Sequence, residues 1–187
     1  MKPSAATPLP GHRAPAVGFE APLEMLSACH GRIDDQCALL QRLLTHVRSH
    51  GVDSQACDAA LAVIRYFDTA AVLHHADEEQ NLFPALLESM AASDPVCLRQ
   101  LTQDLATQHR ELEARWRRVR ASLQRLVDQR DAAALDGDDI DRLVTGYKSH
   151  IETEERELLP MAARLLGTAQ LDEVGRAMRE RRGVVLP

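Results

Sequence analysis

The sequence predicts an all-α fold: an up-down-up-down four-helix bundle built from two pseudo-repeated helical hairpins, with a short C-terminal helix. Three observations carry this. Apolar residues recur every three or four positions along four long stretches. Aromatics are only 3% of the 187 residues and glycines number 9, fewer than the strands and turns of a sheet protein need. The two halves of the chain also repeat one pattern of histidine and glutamate at helical spacing. Short connections between such helices favour antiparallel neighbours.

Along the chain, residues 1–20 come first. They hold Pro3, Pro8, Pro10 and Pro15 among Ala and Gly, and read as a flexible N-terminal arm. No apolar stretch follows Lys2, so the arm does not read as a secretory signal. Residues 21–187 then form one domain. Pro22 suits a first helical turn. Leu23, Leu26, Ile33, Cys37, Leu40, Leu44 and Val47 mark one face of a helix that Gly51 ends near His50, with His30 filling the step between Leu26 and Ile33. Asp53 or Ser54 caps the second helix, whose stripe reads Cys57, Leu61, Ile64, Phe67, Ala71, His74, Glu78, Leu82. Ser93-Asp94-Pro95 supplies a start signal for the third. Its stripe reads Leu98, Leu101, Leu105, His109, Leu112, Trp116, Val119, Leu123, Leu126. After a turn at Asp136-Gly137-Asp138 the fourth reads Ile140, Leu143, Tyr147, His150, Glu154, Leu158. A last amphipathic piece spans about Asp172 to Arg181.

Charge and cysteine content narrow the function classes. With 22 Lys+Arg against 28 Asp+Glu the net charge is -6, which disfavours nucleic acid as a partner. No run of ~18 apolar residues suits a membrane-spanning helix. Cys29, Cys37, Cys57 and Cys97 form no CxxC pair and read as small buried hydrophobes in a reducing, cytoplasmic setting. The run Arg110 to Arg125 reads as a solvated helix face.

The histidines do not fit a plain core. His74-His-Ala-Asp-Glu78-Glu-Gln-Asn-Leu-Phe-Pro84 aligns with His150-Ile-Glu-Thr-Glu154-Glu-Arg-Glu-Leu-Leu-Pro160. His30-Gly-Arg-Ile33 echoes His109-Arg-Glu-Leu112, and the step from His30 to His74 nearly equals that from His109 to His150. In each motif a proline interrupts the helix about two turns past the histidine. His30 and His74 lie equally far from the turn at Val52 and so face each other; the second hairpin needs its loop, Asp131 to Asp138, to absorb an offset. Residues i and i+4 share a helix face, so His74 with Glu78 and His150 with Glu154 point inward together. An inward imidazole or carboxylate is costly unless paired or bound to a metal. Four imidazoles and two carboxylates suit Fe, Mn or Zn, and exceed one tetrahedral zinc. They fit two metal ions that share carboxylates. The repeat favours His74 as the ligand; His75 either takes its place or keeps an outer or surface role.

The ordered set His30, His74-x-x-x-Glu78, His109, His150-x-x-x-Glu154, with Leu-Phe-Pro84 after the first Glu, resembles the hemerythrin-like (HHE cation-binding) family over about Leu23 to Leu166. The resemblance implies a four-helix bundle around a non-haem di-iron centre, two Fe ions with an oxygen bridge, for which Mn or Zn can substitute. His30, His74, His109 and His150 would be terminal ligands, and Glu78 and Glu154 would bridge. The implied ligand is dioxygen, peroxide or nitric oxide, bound for sensing, storage or delivery. An enzyme that decomposes peroxide or oxidises Fe(II), or an iron-handling protein of nitrosative stress, stays open beside binding. The sequence departs from the animal oxygen carriers in two places. Glu113 stands where they have a fifth histidine, and the final carboxylate is read as Glu154, at +4, with Glu155 an outer partner. With Glu113 either bound as a hard anionic donor or not bound at all, the ferric state is expected to be favoured. Asp34 is the symmetry mate of Glu113, and Tyr147 is a core residue whose hydroxyl can reach toward the site.

Overall fold

The structure, a computed structural model, describes residues 18–90 and 96–184, and every regular element among them is helical. α1 (Pro22–His50) starts on the expected proline and ends where Gly51 takes a φ of 79°, a conformation that favours glycine. Asp53 caps the next helix, its side chain accepting the Ala56 N–H at 2.8 Å. A long rod then runs through α2 (Ser54–Tyr66), α3 (Val72–Asp77) and α4 (Phe83–Ser89), joined by π-helical turns at Phe67–Ala71 and Glu78–Leu82. α5 (Val96–Gln129) stops at Arg130, whose φ is 53°. Extended residues around a 3-10 turn at Ala132–Ala134 lead to Asp136, whose side chain accepts the Asp138 N–H at 2.8 Å and caps α6 (Gly137–Thr153). A π-helical turn at Glu154–Leu158, α7 (Leu159–Leu165) and α8 (Thr168–Arg181) complete the chain.

Several expectations change here. The prolines do not break their helices. Pro84 and Pro160 lack an N–H for the helical ladder, and the preceding turn widens instead. The Phe83 N–H reaches back to the Glu78 carbonyl, and the Leu159 N–H to that of Glu154, each spanning five residues. α8 begins at Thr168, ahead of the expected Asp172, where Gln170 Oε1 accepts the Gly167 N–H at 3.0 Å. Leu61 is exposed, because the buried face of α2 runs through Ala56, Cys57, Ala60, Val63 and Ile64. Cys97 is exposed too, whereas Cys29, Cys37 and Cys57 are buried, all four as free thiols. Residues 1–17 of the predicted arm and the start signal Ser93-Asp94-Pro95 lie outside the described residues.

α1 packs against α2 and α6, and α5 packs against the same two helices. Their stripes meet in two apolar clusters. One gathers Ile33, Leu40, Phe67, Leu112, Trp116, Leu126, Leu143 and Tyr147 toward the α1–α2 turn. The other gathers Leu26, Leu82, Leu86, Leu105, Leu158 and Met178 at the opposite end. The seam between them is polar. On each helix one histidine separates the clusters: His30 between Leu26 and Ile33, His109 between Leu105 and Leu112. A helix that passes its stripe through both clusters must carry its histidine across that seam.

The C-terminal helix is tied to this seam. Asp77 is fully buried at the end of α3, and Arg181 at the end of α8 and Arg182 just after it both close on its carboxylate, Arg182 at 2.6 Å. Arg181 also donates to Gln80 Oε1 at 3.0 Å and to Asn81 Oδ1 at 2.6 Å in the π-helical turn. At Gly175 any Cβ would collide with the Phe19 carbonyl, so the glycine admits the entry segment against α8. Removing both arginines (Arg181→Ala with Arg182→Ala) strands a buried carboxylate and is expected to lower stability by about 3–5 kcal/mol. Adding Asp77→Asn should recover part of the loss. Urea denaturation of the three proteins checks this; equal stabilities would show that the clamp contributes nothing.

Candidate metal centre

Each seam histidine is placed by its helix and then turned by a polar partner. His30 and His74 meet edge to face with ring centroids 4.9 Å apart, as their equal distance from the α1–α2 turn requires. His109 and His150 also meet, centroids 4.7 Å apart, because the extended residues around Ala132–Ala134 absorb the unequal arms of the second hairpin. His74 with Glu78 and His150 with Glu154 each project inward from one helical turn, at 3.4 Å and 3.1 Å between Nε2 and the carboxylate. All six predicted site residues are 0–3% exposed.

The outer nitrogens are fixed by a crossed pair of contacts. His30 Nδ1 lies 2.6 Å from Glu155 Oε1, and His109 Nδ1 lies 2.6 Å from Glu79 Oε1. In each case the second glutamate of a Glu-Glu pair reaches the opposite hairpin while the first stays inside. A carboxylate accepting at Nδ1 fixes the tautomer and aims Nε2 inward. Gln108 Oε1 does the same for His150 Nδ1 at 2.9 Å.

The inward atoms converge without satisfying one another. The Nε2 atoms of His109 and His150 are 3.1 Å apart, and His30 Nε2 is 3.1 Å from Glu154 Oε2. Yet His30 Nε2, both nitrogens of His74 and all four oxygens of Glu78 and Glu154 are buried without a well-directed hydrogen bond. Buried polar atoms are rarely left so. Two donors on one ion, with bonds of ~2.1 Å, stand about 3 to 4 Å apart. Donor atoms from His30, His74, Glu78 and Glu154 lie within 4.8 Å of one another, as do those from Glu78, His109, His150 and Glu154. The site therefore suits a cation, and imidazole with carboxylate suits Fe, Mn or Zn.

Electrostatics follow from burial set against these neighbours. Burial lowers the proton affinity of His30, but Glu154 and Glu155 outweigh it and raise the imidazole to about 9. Burial opposes His109 likewise, and Glu154, Glu78 and Glu79 raise it to about 10. His74 is held neutral, down to about 3, by burial and the surrounding histidines. Burial and the Glu154 charge push Glu78 up to about 8. Glu154 is held well below the ordinary carboxylate range, because the facing imidazoles of His109, His150 and His30 outweigh its burial.

Residues outside the layer divide into partners and bystanders. Glu113 and Asp34 are exposed and belong to neither donor set. Glu155 and Glu79, which the sequence leaves as solvated residues or outer partners, lie against the outer nitrogens of His30 and His109. Tyr147 is buried against Phe67, centroids 5.3 Å apart. Arg110, Glu111, Arg117, Arg118 and Arg120 are exposed, as a solvated face requires, while Trp116 turns inward and donates to Asp68 at 2.9 Å. His46 pairs with Asp53 at 2.9 Å, far from the seam, and His12 lies outside the described residues. Sequence reasoning missed Asp77, Gln108 and the π-helical turns; the two Glu-Pro spacings were the available signal for the turns. His75 is not a surface residue: its ring stacks on His109, centroids 4.0 Å apart.

An all-helical protein with a buried histidine–glutamate layer placed to hold a metal is thus defined. The hemerythrin HHE cation binding domain profile matches residues 21–162, and the chain belongs to that family. It is also 31% identical over 166 residues to an uncharacterized protein of Haemophilus influenzae, covering 89% of this chain and 92% of that one.

The charges and the outer contacts have measurable consequences. His30 and His109 hold protons at neutral pH in the metal-free protein and Glu78 holds most of another, so metal uptake at pH 7 should release about three protons per chain, and affinity should rise with pH. Their raised values stabilise the metal-free fold fully below the ordinary 6.5, and that contribution is lost as pH climbs through about 9 and 10. Glu78 has the same sign, losing its contribution from 4.5 up through about 8. The metal-free Tm should therefore fall between pH 7 and 10, and a flat profile with no proton release would refute the assignment. Separately, Glu79→Ala or Glu155→Ala should weaken metal binding by about 10–100-fold without abolishing it; titration with the metal reads this directly.

Proposed function

We propose that the chain is a four-helix bundle of the hemerythrin type, spanning residues 21–187, that holds two iron ions and binds dioxygen or a related small ligand there. One observation carries the reading: the two donor sets share Glu78 and Glu154. Each carboxylate has two oxygens, so a shared pair is what two adjacent ions need as bridges. His30 and His74 would hold one ion, His109 and His150 the other. Burial supports a small ligand, since donors at 0–3% exposure admit nothing the size of a metabolite. Peroxide and nitric oxide meet the same size limit.

A bound iron pair supplies redox chemistry and a position for the incoming ligand. The chain's own residues do the rest. Glu79 and Glu155 keep His109 and His30 in one tautomer and one plane. The apolar clusters above and below exclude bulk water and lower the dielectric around the carboxylates. Glu113 is exposed, which assigns it no part in the shell.

Elemental analysis after expression in iron-replete medium should find about two iron atoms per chain, and Glu78→Ala or Glu154→Ala should reduce that sharply. One zinc and no iron would overturn the proposal. Stopped-flow mixing of the reduced protein with air-saturated buffer should give an absorption change that His109→Ala lacks; identical traces would remove dioxygen as the ligand.

A further inference from the structure

We infer that Trp116 is a built-in one-electron donor to the metal centre, joined to the donor layer by a line of aromatic rings. The inference rests on the two-iron reading above and concerns how electrons reach the centre. Aromatics are scarce in this chain, yet its single Trp and both Tyr meet at one phenylalanine. Phe67 has Trp116 at 4.8 Å between centroids, Tyr147 at 5.3 Å and Tyr66 at 5.5 Å. From Tyr147 the line continues to His75, centroids 6.2 Å apart, and His75 stacks on His109 of the layer at 4.0 Å. Neighbouring π systems couple for electron transfer better than an equal length of aliphatic side chain. The internal repeat sets Ile151 in the position of His75, so the second hairpin has no matching ring.

The far end of the line has an outlet for a proton. Trp116 is 6% exposed, and its Nε1–H donates to Asp68 Oδ1 at 2.9 Å. Asp68 itself is exposed and paired with Arg120 at 2.7 Å. An indole that loses an electron becomes acidic and sheds its N–H proton, and Asp68 stands at that proton. The tyrosines are worse resting places. Burial pushes the Tyr147 hydroxyl well above its ordinary value, so that ring gives up its proton reluctantly. The Tyr66 hydroxyl faces the Cys29 carbonyl at 3.5 Å, and a carbonyl is too weak a base to take the proton. The step balances with peroxide as oxidant and a solvent thiol as reductant. Hydrogen peroxide takes up two electrons, and two protons from water, to become two waters. A centre holding one electron above the fully ferric state supplies the first, and Trp116 supplies the second while its proton passes to Asp68. A thiol then returns an electron and a proton to Trp116, two oxidised thiols couple as a disulfide, and Asp68 releases its proton to water.

Core packing with a satisfied indole N–H would also bring these rings together, and the test separates the two roles. The iron-loaded full chain, holding one electron per pair above the fully ferric state, is mixed with hydrogen peroxide in the absence of thiol. It is frozen within milliseconds and read by electron paramagnetic resonance. The unmodified protein should show a narrow organic radical. Growth on ring-deuterated tryptophan should collapse its hyperfine splitting, which assigns it to the single Trp without any substitution. Trp116→Phe should lose the signal. Phe67→Leu, which keeps the indole and interrupts the line, should lose most of it at unchanged iron content. Peroxide consumed with no radical, a signal that deuteration leaves unaltered, an undiminished signal in Phe67→Leu, or an equal one in Zn(II)-loaded protein would each overturn the inference. Failure of the unmodified protein to take up an iron pair would instead defeat the two-iron reading, and this inference with it.

Discussion

Six acid–base groups share one buried layer, and the rest of the molecule is arranged around that constraint. Each would lose its hydration on burial, and an isolated charge there is prohibitively costly. The layer answers with mutual neutralisation: two carboxylates face four imidazoles, with Glu154 touched by His30 and His150 at 3.1 Å. Even so, the inner atoms stay unsatisfied, because they converge on common points and do not pair off. Convergence of lone pairs is unfavourable for the bare protein and favourable for a cation. A site built this way trades fold stability for binding, and the two large apolar clusters on either side supply the stability it gives up.

Precision comes from the elements just outside the layer. The π-helical turns after Glu78 and Glu154 place each glutamate pair so that its members diverge, one into the layer and one across to the opposite hairpin. The resulting crossed contacts, His30 to Glu155 and His109 to Glu79, tie each hairpin to the other through the site itself. Asp77 extends the same logic outward, holding α8 to the end of α3 through two arginines. The hydrogen bonds that aim the imidazoles are thus also long-range contacts of the fold. Substitutions at them should disturb binding and assembly together.

Approximate two-fold symmetry organises the centre without making its ends alike. His109 stacks on His75 and has Phe83 parallel to it at 6.1 Å, whereas His30 has His74 edge-on. Gln108 orients His150, while the corresponding Nδ1 of His74 has no hydrogen-bond partner. The two ends of the layer therefore differ in their outer contacts and in their packing.

Much of this was legible in the chain. Helical periodicity, the helix ends at Gly51 and Asp136, and the repeated His-x-x-x-Glu are local, since side chains three or four residues apart share a face whatever else the chain does. Equal arm lengths about Val52 brought His30 against His74 for the same reason. The layer was therefore readable, and so was the preference for Glu154 over Glu155 as its inner carboxylate. Contacts between helices were not. Whether Leu61 or Ala60 is buried depends on a helix rotation that neighbours set, and Glu113 turns to solvent although it shares a sequence face with His109. Asp77 finds Arg181 and Arg182 more than a hundred residues away, and nothing in their local sequence announces the match. The residue types and their spacing decided that six donors would meet. The rotation and register of packed helices decided that Glu79, Glu155 and Gln108 would aim them and that His75 would stack on His109, because those contacts form only when separate helices are brought within a few ångströms.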